Sequence, residues 1–220
     1  MSRARMKVVA CATVIEEMLP LPPGVGHEVL DFGLHTNPAD LKKALQDAID
    51  RLAAEAETII LGYGLCSHAV VGLRANGCTL VIPKVDDCIA IFLGSRERHR
   101  EVSRSEPGSY YLTKGWIKVG DTPFKQYEQM VERYGPSRAD RIMRAMLKHY
   151  TRVVLIDTGV ADLEECRSYA GRTAEQFGLR FEEIPGSKNL VKKMVEGPWD
   201  DEFLVVPPGG TVEMQPFLPE

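Results

Sequence analysis

Cys11, Cys66 and Cys88 each fall where a β-strand is expected to end, and three thiols gathered at one sheet edge make a set of soft metal ligands. Thiolate sulfur selects zinc or iron–sulfur clusters over magnesium and calcium, which take hard oxygen donors. A local zinc ribbon is excluded, because the chain has no close C-x2–4-C pair. A site built from separate strand exits depends on the whole fold instead. Three protein thiolates also leave one position open, on a tetrahedral ion or on one iron of a cubane cluster, and substrate chemistry needs such a position. His35, at another expected strand end, can complete a Cys3His set around zinc.

Other residues near these exits have chemistry of their own. Asp86 and Asp87 precede Cys88 and are candidate acid/base groups, although adjacent carboxylates in one loop diverge and only one can face a site. Gly62 and Gly64, with Ser67 where a dinucleotide fingerprint would place its third glycine, form a weak phosphate-loop pattern. Ser95 and Arg96, at a helix start, can hold a phosphate or carboxylate, with a helix cap and a solvated arginine as the plain alternative. Lys114 lies among Tyr110, Tyr111 and Trp116 and can meet an anion if that segment closes over a substrate. A rival chemistry makes Cys66 a nucleophile on a tight strand-to-helix turn, with His35 or His149 as base. His68, where an elbow motif wants glycine, weakens that reading. Cys166 lies on the apolar stripe of a helix and reads as core, and Cys78 opens a strand at the opposite sheet edge, so neither is a good ligand candidate.

The elements that must position these residues alternate. KVVACATV over 7–14 reads as a buried first strand, and His27 to Leu34 as a second. Asn37, Pro38 and Asp40 mark a helix start, and Leu41, Ala44, Leu45, Ala48, Ile49 and Leu52 supply the apolar stripe of a helix expected to end near Ala56. Thr58 to Leu61 is a strand running into a glycine turn, with Ala69 to Leu73 expected as the helix behind it. Thr79 to Pro83 is the next strand, followed by an apolar segment and a polar helix through Arg104. The glycine- and aromatic-rich stretch 106–121 suggests a hairpin or lid. Two helices separated by Gly135-Pro136-Ser137 form a helical hairpin, and strands at 152–156, 180–184 and 203–206 resume the alternation.

The expected fold is therefore α/β: a mostly parallel Rossmann-like sheet flanked by helices, with the hairpin inserts. We read one domain over 1–220, with a two-lobed division at 1–105 and 150–220 around an insert at 106–150. The 220 residues carry a net charge of −4 and no basic tail, which argues against nucleic acid as a partner. No apolar run reaches the roughly 20 residues a membrane span needs, and the first residues do not read as a signal peptide. Five unevenly spaced cysteines fit free or metal-bound thiols in a reducing, cytoplasmic setting.

GYGLCSHAVVGL at 62–73, VIPKVDDCIAIFLGSR at 81–96 and GSYYLTKGW at 108–116 together resemble the uncharacterised prokaryotic family catalogued as domain of unknown function 1638, over nearly the whole chain. Lys84 and Ser67 stand where arginine and glycine are expected in many relatives, and the cysteines are untouched by these departures. The resemblance implies no established activity. It implies a link to anaerobes and to corrinoid methyl-transfer gene neighbourhoods, hence a corrinoid or methyltransferase partner. With the dispersed cysteine spacing, that link favours a 4Fe–4S cluster over zinc. Three dispersed cysteines hold such a cluster with one iron free in quinolinate synthase and the diphthamide-forming enzymes, an analogy of site pattern and not of descent. The expected function is a metal- or cluster-dependent protein acting on a small, anionic molecule. The alternatives are a non-catalytic metal- or cobalamin-handling protein and a hydrolase using Cys66.

Overall fold

The computed structural model describes residues 5–66, 68–119, 122–160 and 163–218. Its strands are β1 (Met6–Cys11), β2 (Val25–Leu30), β3 (Thr58–Gly62), β4 (Thr79–Pro83), β5 (Ser109–Leu112), β6 (Arg152–Asp157), β7 (Arg180–Pro185) and β8 (Phe203–Val206). Its helices are α1 (Ala12–Met18), α2 (Pro38–Leu52), α3 (Cys88–Leu93), α4 (Arg96–Ser105), α5 (Lys114–Val119), α6 (Pro123–Tyr134), α7 (Pro136–Leu147), α8 (Leu163–Gln176) and α9 (Asn189–Glu196). The chain groups into two compact units, Met1–Arg98 with Ser187–Glu220, and His99–Gly186.

The first unit is built on a five-stranded sheet of order β2-β1-β3-β4-β8. β2, β1, β3 and β4 run parallel, and β8 is antiparallel to β4. Val8, Val9 and Ala10 of β1 and Ile59, Ile60 and Leu61 of β3 are fully buried, as expected of parallel strands covered on both faces. Pro38 opens α2, and of the predicted stripe Leu41, Leu45, Ala48, Ile49 and Leu52 are buried while Ala44 is half-buried. The chain passes from β1 out to β2 and then crosses to β3 on the other side of β1. Strand order therefore reverses between β1 and β3. In open α/β sheets such a switch point leaves a crevice outside the carboxyl ends of the strands.

The second unit carries a three-stranded sheet of order β5-β6-β7, all parallel. The helical hairpin is present as α6 and α7. Thr122 caps α6 by accepting from the Lys125 amide at 3.3 Å, and Gly135, at φ +76°, turns the chain into α7. Phe124, Met143 and Leu147 join Leu112, Val153 and Leu155 of the sheet in one core, together with Cys166 and Ala170 of α8. Cys166 is core, as its helical spacing predicts.

Four local expectations are corrected. The first strand stops at Cys11 and 12–18 is helix, because a continuous apolar run does not separate a buried strand from a buried helix. The second strand ends at Leu30, and Phe32–Thr36 forms a 3₁₀ turn whose second amide, on Gly33, is held by Asp31 Oδ1 at 2.7 Å. No helix forms at Ala69 to Leu73. His68 and Gly72 take φ +71° and +81°, and five apolar residues broken by a left-handed glycine cannot repay helix nucleation. The 106–121 stretch is not a hairpin, because β5 pairs in parallel with β6 and leads into α5. Gly108 is a close-approach glycine, since a β-carbon there would lie 2.8 Å from the His149 carbonyl oxygen. Among the described residues, no helix is long and apolar enough to cross a membrane.

Candidate functional site

The order of the strands decides which cysteines can meet. β1, β3 and β4 are consecutive neighbours, so the exits that carry Cys11, Cys66 and Cys88 lie side by side along the carboxyl edge, with the first two flanking the switch point. Cys78 sits at the amino end of β4 and is 1% exposed. It belongs to the opposite edge, as its sequence position predicts.

Each exit is fixed locally. Cys11 is the last residue of β1 and the extended residue before α1, and its sulfur lies 3.0 Å from Oγ1 of the buried Thr13. Past β3, the Leu65 amide donates to the Val85 carbonyl at 2.8 Å and the Cys66 amide to the Asp86 carbonyl at 3.1 Å. The exit loops of β3 and β4 thus continue side by side beyond the strands. Gly62 and Gly64 make this approach feasible. A β-carbon on Gly62 would stand 2.5 Å from Cβ of Ala10, and one on Gly64 would stand 2.7 Å from the Val85 carbonyl oxygen. These glycines pack the exits together, which is a different task from cradling a phosphate. Cys88 is the first residue of α3, where the Asp87 carboxylate caps the helix by accepting from the Ile89 amide at 2.9 Å.

Cys66 has φ +45°. That region costs an L-residue with a β-carbon roughly 1–2 kcal/mol, and strain of this kind clusters where a side chain has a task. Burial pushes the Cys66 thiol up to about 12, with the Asp87 charge and Cys11 adding to the rise and the Gly64 backbone opposing it. Cys88 is raised well above the usual thiol range by burial first, then by Cys66, Cys11 and Asp87. The three thiols and the Asp87 carboxylate therefore share one electrostatic environment. As placed, the side chains are not drawn to ligand spacing: among the described residues, no group of three or more His, Cys, Asp and Glu stands ready to hold an ion.

The remaining sequence candidates are placed as follows. His35 lies in the 3₁₀ turn after β2, against the Phe32 ring at 4.4 Å, with Nδ1 donating to the Phe32 carbonyl at 2.5 Å. The charges that raise Cys66 and Cys88 do not include it. Its bound Nδ1 leaves Nε2 as the free lone pair, the form a metal-binding histidine takes. Asp86 pairs with Arg96 at 3.1 Å, and Arg96 also donates to the Phe217 carbonyl. Arg96 thus ties the β4 exit to the C-terminal 3₁₀ turn at Gln215–Phe217. Ser95 Oγ accepts from the Arg98 amide at 3.1 Å, as a helix cap does. Lys114 opens α5 in the second unit, and Ser67 lies outside the described residues. Tyr110 packs edge-on against Phe124 and Tyr150 at 4.8 and 5.3 Å. A depression of about 460 Å³ lined by Arg5, Lys7, Gly26 and Glu55 lies at the amino edge, away from the thiols.

Sequence reasoning missed Tyr63. It follows β3 inside the GYGLC run, is 5% exposed, and its buried hydroxyl has no hydrogen-bond partner among the described residues. Burial raises its phenol, and Cys11, Cys66 and Cys88 raise it further. Its place between Gly62 and Gly64 was legible, but the direction of its side chain was not.

No curated protein and no solved structure matches the chain. A family model described as "Protein of unknown function (DUF1638)" matches residues 29–195, a span that holds Tyr63, Cys66 and Cys88 and begins after Cys11. The chain belongs to that family.

Proposed function

We propose that Cys11, Cys66 and Cys88 together hold one metal centre, a 4Fe–4S cluster or in the alternative a zinc ion, whose open position binds a small molecule. The observation that carries this reading is the adjacency of β1, β3 and β4, which sets three cysteine exits at one switch-point edge. The donor set fits the group, because soft thiolates suit iron–sulfur clusters and zinc. When bound, the centre supplies a Lewis acid to the ligand at its open position.

The protein's own residues supply the rest. Gly62 and Gly64 let the exits converge, and Asp87 fixes the start of α3 so that Cys88 faces the same environment as Cys66. Ligation requires the thiol side chains to turn toward a common point, since zinc–sulfur bonds are about 2.3 Å. The raised thiols favour this reading over a nucleophilic Cys66. An activated cysteine has its pKa lowered by nearby positive charge, whereas Cys66 is pushed up to about 12 by burial and the Asp87 carboxylate. A metal cation supplies the missing positive charge.

Alkylation with iodoacetamide tests the choice. In metal-free protein at pH 7, Cys66, pushed up to about 12, is expected to react on the order of 10–100 times more slowly than an ordinary cysteine near pKa 8.5. Reconstitution with iron and sulfide, or with zinc, should protect Cys11, Cys66 and Cys88 together, at the same metal-to-protein ratio. Fast alkylation of Cys66 that metal leaves unchanged would favour the nucleophile and sink the metal reading.

A further inference from the structure

Tyr63 holds a hydroxyl buried without a partner. Burying a hydroxyl without a hydrogen bond costs on the order of 1–3 kcal/mol, and such groups are uncommon enough to require an explanation. The Tyr63 residue is 5% exposed, and among the described residues its hydroxyl bonds to no protein atom, the three cysteine sulfurs included. It stands at the β3 exit of the switch point, between the two glycines that bring the exits together, and within electrostatic range of Cys11, Cys66 and Cys88.

We propose that the Tyr63 hydroxyl is the hydrogen-bond donor to the small molecule bound at the three-thiol site, and that it selects ligands presenting an oxygen acceptor, a carboxylate or a carbonyl. This inference rests on the metal reading above. The chemistry points to an acceptor because neither the ligating thiolates nor Asp87 can supply the complementary donor. Metal-bound thiolates carry no proton, and the Asp87 carboxylate is already an acceptor from the Ile89 amide. A ligand that reaches the open position through one oxygen therefore meets a fixed donor in Tyr63. The hydroxyl in turn gains the partner that it lacks in the protein alone. The predicted ligand is thus a small carboxylate or carbonyl compound, whose oxygen accepts from the phenol.

The test compares wild type with Tyr63→Phe, which keeps the ring and removes only the oxygen. Both are loaded anaerobically with iron and sulfide, or with cobalt(II) where zinc is the native ion, and metal content is measured first. Acetate and imidazole are then titrated against the metal's absorption spectrum. Acetate supplies oxygen acceptors, and imidazole fills a metal position through nitrogen without needing a donor from the protein. The expected result is equal metal content, acetate binding weakened about tenfold in Tyr63→Phe, as loss of one hydrogen bond to a charged acceptor implies, and imidazole binding unchanged. Equal acetate affinities would overturn the proposal and leave a bound water as the hydroxyl's partner. A spectral shift in ligand-free Tyr63→Phe with unchanged acetate affinity would also overturn it, making the phenol a neighbour of the metal and not of the ligand. Wild type that takes up no metal would remove the metal reading itself, and this inference with it.

Discussion

Cys66→Gly is expected to leave the metal-free chain at least as stable as wild type while weakening metal binding by a factor on the order of 10²–10³. The two halves of this prediction have separate physical origins. Cys66 stands at φ +45°, where the strain on an L-residue is roughly 1–2 kcal/mol. Glycine removes that strain, and its extra freedom in the unfolded chain offsets about 0.5–1 kcal/mol of the gain. The backbone bonds from Leu65 and Cys66 to the β4 exit do not depend on the side chain and remain. Metal binding, in contrast, loses one of three thiolates. Structural zinc sites bind with about 10–16 kcal/mol from their full ligand set, so one thiolate accounts for a few kcal/mol. Urea unfolding of the metal-free proteins gives the first number, and competition with a chelator gives the second. A variant destabilised by several kcal/mol, with metal affinity intact, would make Cys66 a packing residue.

Metal affinity is expected to rise at least about 100-fold per pH unit between pH 6 and 8. In that window Cys66, pushed up to about 12, and Cys88, raised well above the usual thiol range, both keep their protons in the metal-free protein. Each must lose its proton to ligate, and each proton released contributes a factor of about ten per pH unit. The stability of the metal-free chain moves the other way. Thiols in the unfolded chain ionise near 8.5, before the buried ones do, so the unfolded state binds fewer protons above that value. Stability conferred by the protonated Cys66 is whole below about pH 8.5 and declines as pH rises toward about 12. Chelator competition at a series of pH values, at constant ionic strength, measures the slope. A slope near zero would mean that neither buried thiol gives up a proton to the metal.

Much of the fold was legible because its signals are local. The α2 stripe and Pro38 at its start, the β4 run and the proline-started α6–α7 pair all came from spacing and capping residues that act within a few positions. What could not be read depends on contacts distant in sequence. Gly108 looks like a turn glycine in sequence, but it serves the approach of β5 to the 149–151 backbone, so the local pattern suggests a hairpin or lid where a parallel strand forms. The helix over 12–18 was hidden because VVACATVI offers no periodicity to divide it. At the site, the shared strand exits of Cys11, Cys66 and Cys88 were visible in the sequence. Their adjacency was not, since it follows from the β2-β1-β3-β4-β8 order. The same holds for Arg96, which meets Asp86 and the Phe217 carbonyl; the second of these partners comes from the far end of the chain. Tyr63 gave no sign because an unpaired hydroxyl is a property of packing alone.

Metal content per chain after anaerobic purification, measured for wild type and for Cys11→Ala, Cys66→Ala, Cys88→Ala and Cys78→Ala, tests the central claim most directly. The account predicts one stoichiometric centre in wild type and in Cys78→Ala, at most a few per cent of it in each of the other three, and comparable far-UV circular dichroism throughout. Wild type without stoichiometric iron or zinc, or a centre retained when any one of Cys11, Cys66 and Cys88 is replaced, would contradict it.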